Sequence, residues 1–145
     1  MIEISLAASG HAPPALPPKA YDPEQDSILS LLGDICEAWE GHAAFHVLGF
    51  GPDPWPVDVR TDLPVFMAGL PVALRRFRAG RDFVLDFYEQ GFACHLRVEA
   101  PARGLCRIRI DSFGDWPPDP APIEVDAAAL MQQLDVSFQE VVHLV

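Results

Sequence analysis

The chain has 145 residues, half of them hydrophobic, which matches the size of one ordinary domain able to bury a core without disulfides or metal. Its formal net charge of −11 argues against direct binding to nucleic acid or to an anionic membrane, both of which demand clustered Lys and Arg. No apolar run approaches the roughly 20 residues of a membrane helix, and Met1 to Leu6 lacks the basic flank of a secretory signal, so a cytoplasmic protein is expected.

The charge is unevenly placed. Residues 1–58 carry nine acids and one base, residues 59–110 five acids and nine arginines, and residues 111–145 seven acids and no base, giving −8, +4 and −7. Two acidic ends around an arginine-bearing middle imply either charge compensation within the fold or an acidic face offered to a basic partner. The three cysteines, Cys36, Cys94 and Cys106, form no CxxC pair and are odd in number. Neither a disulfide framework nor a zinc knuckle is indicated, and no cofactor motif is present.

In chain order, Ile2, Ile4 and Leu6 alternate with Glu3 and Ser5 and predict a short strand. Residues 7–21, with Gly10, Pro13-Pro14 and Pro17-Pro18, read as an extended connector. Asp22-Pro23-Glu24-Gln25 looks like a helix start with Asp22 as N-cap, and the helix runs to about Glu40 before Gly41, burying Ile28, Leu31, Leu32, Ile35 and Trp39. Ala44 to Phe50 predicts a strand. From Thr61, with Thr61 or Asp62 as cap, Leu63, Phe66, Met67, Leu70, Leu74 and Phe77 keep helical spacing, with Pro71 expected to kink or split the helix.

Residues 83–111 are the most strongly patterned. Phe83, Leu85 and Phe87, then Phe92, Cys94, Leu96 and Val98, alternate with polar residues on either side of Gln90-Gly91. A two-residue turn there pairs Phe87 with Cys94, Leu85 with Leu96 and Phe83 with Val98, so both apolar sets fall on one face. A second turn at Pro101 to Gly104 leads to a third strand with Cys106, Ile108 and Ile110 inward. Asp126 then caps a final helix whose stripe is Leu130, Met131, Leu134, Phe138, Val141 and Val142. The expected fold is a single α+β domain over 1–145, with a three- to four-stranded antiparallel meander and two to three helices packed mainly on one face.

A three-residue loop with Gly104 left-handed sets Asp111 opposite His95, whose other neighbour is Asp86, and Glu99 opposite Arg107. An Asp-His-Asp row could orient an imidazole as general base, but no nucleophile accompanies it, and ordinary cross-strand charge pairing on a solvated sheet face is the favoured reading. His42 and His46 have the four-residue spacing of helical metal ligands, yet flanking glycines favour a turn and strand, and no further ligand is near. Two proline-stiffened loops, one with Asp53, Trp55 and Asp58 and one with Asp115, Trp116 and Asp119, combine a large ring with acids on both sides. Such loops lose little entropy on binding and suit a basic protein partner, unless the rings fold back onto the core.

The run Gly49-Phe50-Gly51 to Trp55-Pro56-Val57-Asp58-Val59, followed by Thr61-Asp62-Leu63 and by Leu85-Asp86-Phe87-Tyr88-Glu89-Gln90-Gly91, resembles small uncharacterised bacterial proteins of polymorphic-toxin immunity type. The similarity covers roughly residues 44–112. It implies a non-enzymatic inhibitor that sequesters a cognate toxin by occluding its active site. The alternative expectation is a small enzyme or ligand-binding protein with a polar cleft around His95.

Overall fold

The computed structural model of the chain describes residues 1–8, 22, 24, 27–87, 94–112, 118 and 121–144. Three helices and two antiparallel sheets make it an α+β fold. Strand β1 (Glu3–Ala8) pairs with β2 (Ala43–Leu48) as a two-stranded sheet, with Ile4 opposite Val47 and Leu6 opposite Phe45. Strands β3 (Phe83–Asp86), β4 (Cys94–Val98), β5 (Leu105–Ser112) and β6 (Ile123–Asp126) form a four-stranded meander in that order. Helices α1 (Ile28–Trp39), α2 (Asp62–Arg78) and α3 (Ala127–Leu144) complete the domain.

The meander follows its hydrophobic alternation. Phe83 faces Val98 and Leu85 faces Leu96, and the Phe87 N–H donates to the Cys94 carbonyl at 2.9 Å, so the predicted register holds. The Gln90-Gly91 turn itself lies outside the described residues. The β4–β5 register also sets His95 opposite Asp111 and brings the Glu99 N–H to the Arg107 carbonyl. The connection, however, is a two-residue turn. Ala102 and Leu105 exchange both backbone hydrogen bonds around Arg103 (φ 54°) and Gly104 (φ 78°), the left-handed pair of a type I′ hairpin. Two residues, Ala100 and Pro101, then stand against Cys106 alone, and this bulge restores the register expected from the longer loop.

Four other expectations change. Strand β6 occupies the end of what reads as loop and helix start. Helix α1 begins at Ser27 rather than Asp22: the Ser30 N–H donates to Ser27 Oγ, whereas Asp22 only accepts the Glu24 N–H in a local turn. Ile28 is therefore in the first turn and 65% exposed. Pro71 does not split α2, because Leu63, Phe66, Met67 and Leu70 before it and Leu74 and Phe77 after it are all buried. Six such side chains outweigh the ~3 kcal/mol a proline costs inside a helix. Val142 faces solvent, and the buried stripe of α3 runs through Leu130, Leu134, Ser137 and Val141, with Ser137 Oγ donating to the Gln133 carbonyl. Asp126 does cap α3, accepting the Ala129 N–H at 2.8 Å.

The core joins the two sheets through aromatic rings. Phe87 from the end of β3 stacks on Phe66 of α2 at 5.5 Å and on Phe45 of β2 at 6.3 Å, and Trp55 meets it edge-on at 5.3 Å. Arrangements of this kind add a modest term to the large area such rings bury. No described helix is long and apolar enough to cross a membrane.

Candidate functional site

Period-two alternation leaves the outward face of the meander polar, with Asp86, His95, Arg97, Glu99, Arg107, Arg109, Asp111 and Glu124. The charges on it compensate one another. His95 Nδ1 stands 2.9 Å from Asp86 Oδ1, Arg97 Nε 2.6 Å from Asp111 Oδ2, and Arg109 Nε 3.3 Å from Glu99 Oε1. The predicted Asp86, His95, Asp111 row is thus assembled, with Asp111 against Arg97 and His95 against Asp86. Cys94 lies on the opposite face and is buried, so it forms no dyad with His95.

The loop after β2 is built around strained backbone. Gly49 (φ 138°), Phe50 (φ 55°) and Gly51 (φ 141°) are three consecutive residues in the left-handed half of conformational space. A side chain at Gly49 would place its Cβ 3.0 Å from the Met1 carbonyl oxygen, so the close passage of the N-terminus over this loop requires glycine. The reversal tucks the Phe50 ring into the core and points the Gly49 carbonyl at Trp55, whose indole Nε1 donates to it at 2.7 Å.

Trp55 is consequently not a surface anchor. It is 4% exposed, and its backbone N–H also pairs with the Val47 carbonyl, covering the second edge of β2. Asp58, although exposed, organises the start of α2: its Oδ1 accepts both the N–H and the hydroxyl of Thr61, while its own N–H donates to buried Asp62 Oδ2. The pair works as a reciprocal cap, and Thr61 itself makes no side-chain cap bond. Asp53 alone of the three is exposed without such a role. Asp115, Trp116 and Asp119 lie outside the described residues.

What the sequence did not reveal is that the residues after β2 meet those leading into β6. Met1, Leu48, Gly49, Phe50, Gly51 and Pro52 line a cleft of about 460 Å³ together with Ala121 and Ile123, the residues that lead from the second loop into β6. Asp53, next in sequence to the lining residue Pro52, is exposed. The readable signal was Ile123-Glu124-Val125-Asp126, a two-residue alternation immediately after the loop. Among the described residues no group of His, Cys, Asp and Glu could hold a metal ion, and His42 and His46 stand in a turn and on β2.

No family model, no curated protein and no solved structure matches the chain.

Proposed function

We propose that this chain is a non-enzymatic protein-binding module, an inhibitor of the immunity type that sequesters a basic toxin domain in the cytoplasm. The observation that carries the reading is the cleft that the proline-bearing loop after β2 forms with the residues leading into β6, lined by Met1, Leu48, Phe50 and Ile123 among others. An apolar cleft beside a proline-stiffened loop that carries exposed Asp53 suits the capture of a protrusion that bears Lys or Arg. Left-handed backbone at Phe50 is the sort of strain that persists where surrounding structure enforces it, often at binding sites. Three buried thiols are compatible with a reducing compartment. The toxin-inhibitor part rests on the resemblance of residues 44–112.

The other expectation, catalysis or ligand binding around His95, has less in its favour. Its polar groups pair with each other across the sheet, and the cleft nearest to it opens beyond Arg97. A test of the leading reading is co-expression with the product of the adjacent gene. A one-to-one complex is expected, weakened about tenfold or more by the double change Asp53→Lys, Ala121→Arg, since an added positive charge repels the partner and a long side chain fills the cleft. A complex that forms with undiminished affinity, or a neighbouring product that does not bind at all, defeats the proposal.

A further inference from the structure

A second cleft, built by different residues, opens where α2 passes the edge of the meander. Its volume is about 630 Å³, and Val72, Arg76, Asp82, Val84, Arg97 and Arg109 are among its lining residues. Strand β3 is an edge strand, since the sheet order places only β4 beside it. The hydrogen bond from Phe87 N–H to Cys94 fixes the phase of the β3–β4 ladder: residues 83, 85 and 87 bond inward to β4, and Val84 directs both its N–H and its C=O outward. Neither group has a partner among the described residues. Arg76 Nε donates to the Asp82 carbonyl, the preceding outward acceptor, and so marks where the open edge begins.

The side chains around this edge point to the chemistry of an occupant. Val72 and Val84 are each 49% exposed, and Val84, on the outward face of the sheet, offers an apolar contact. The charged residues that line the cleft are Arg76, Arg97 and Arg109 against Asp82 and Glu99. Asp82 Oδ1 is engaged by the Ala100 N–H, Arg97 pairs with Asp111 and Arg109 with Glu99, and the Arg76 guanidinium has no carboxylate partner among the described residues. On a protein of net charge −11 this is a local excess of positive charge.

We infer that the β3 edge accepts an extended acidic peptide as a fifth, antiparallel strand, with main-chain bonds to Val84 and carboxylates facing the arginines. Alternation of the added strand sends one set of side chains toward Val72 and Arg76 on α2. The other set continues the cross-strand row Val84, Arg97, Arg109. A second copy of the chain is the weaker fit, because symmetric pairing of two such edges would bring arginine clusters together.

The test uses an acetylated, amidated eight-residue peptide of alternating valine and glutamate, titrated into the full chain and followed by amide chemical shifts and hydrogen exchange. Protection of the Val84 amide is expected, with the lysine counterpart of the peptide binding about tenfold more weakly and the difference shrinking in salt. Val84→Pro removes the outward donor without touching the β3–β4 ladder, and Arg76→Glu reverses the charge. Each should weaken binding by about tenfold. Asp53→Lys with Ala121→Arg should leave it unchanged, which separates this site from the one proposed above. Equal binding of the two peptides, binding indifferent to both Val84→Pro and Arg76→Glu, or Val84 protection that arises from dimerisation without peptide would each overturn the inference.

Discussion

At the scale of single residues, burial decides what each reactive or aromatic group can do. Trp55 looked like a recognition residue because prolines and acids surround it, yet in the fold its flat apolar body meets Phe87 and its indole N–H finds the Gly49 carbonyl. The cysteines follow the same logic. Cys36 packs its Sγ 3.5 Å from Met67 Sδ, and Cys94 and Cys106 fill inward positions of the meander, as their alternation foretold. Desolvation pushes the Cys36 thiol up to about 12, and desolvation aided by Asp111 and Asp86 does the same for Cys94. Because the folded state holds these protons more tightly than the unfolded chain, whose thiols titrate near 9.0, their contribution to stability is complete below pH 9. It declines as pH rises toward 12. Urea midpoints should therefore fall from pH 8.5 to pH 10.5, and Cys36→Ala with Cys94→Ala should flatten that decline. An equally steep decline in the double variant would show that other groups cause it.

At the scale of elements, strand edges are the recurring problem, and helix side chains solve it twice. Gln133 of α3 lies along β1, its Oε1 accepting the Ile4 N–H at 2.9 Å and its Nε2 donating to the Ile2 carbonyl at 3.1 Å, as a neighbouring strand would. Arg76 of α2 does half of this for β3 at Asp82. Gln133→Leu keeps the volume but leaves a half-buried donor and acceptor unpaired, so a loss of about 2 kcal/mol is expected from denaturant unfolding, with faster exchange of the Ile4 amide. An unchanged midpoint would mean that solvent replaces the amide without cost. These edge devices were hidden in the sequence, where Gln133 is merely a polar helix position. The meander was readable because each strand between Phe83 and Ile110 alternates and a one-residue slip would turn every apolar group to water. The pairing of β1 with β2 in a separate sheet was not, since alternation specifies a strand and a buried face but no partner. Strand β6 was missed because four residues wedged between a proline-rich loop and a helix cap carry too short a pattern. The start of α1 was misplaced because Asp22-Pro23 and Ser27 both satisfy the chemistry of a cap, and only packing chooses between them. The candidate cleft inherits both gaps, since β1, β2 and β6 all border it.

At the scale of the whole molecule, the charge imbalance acts on stability as well as on recognition. Arginines of the middle segment form an ion pair within it, Arg109 with Glu99, and pairs outward to the acidic ends, as with Arg97 and Asp111, Arg60 and Glu37 or Arg78 and Asp135. Internal compensation, one of the two readings of the charge pattern, is therefore real but incomplete, since 21 acids face 10 bases. The pairs and the surplus respond differently to salt. Partners within 3.5 Å stand far inside any Debye length, and exposed pairs contribute ~1 kcal/mol at most, so screening removes little from them. Repulsion among the surplus acids acts over the longer separations between the two ends, where a Debye length that shrinks from about 30 Å at 0.01 M to ~8 Å at 0.15 M matters most. Added sodium chloride should thus raise the melting temperature at pH 7 by a few degrees, about what 1 kcal/mol yields in a domain of this size. A melting temperature that falls with salt would show that the ion pairs, rather than the net charge, govern the electrostatic part of stability.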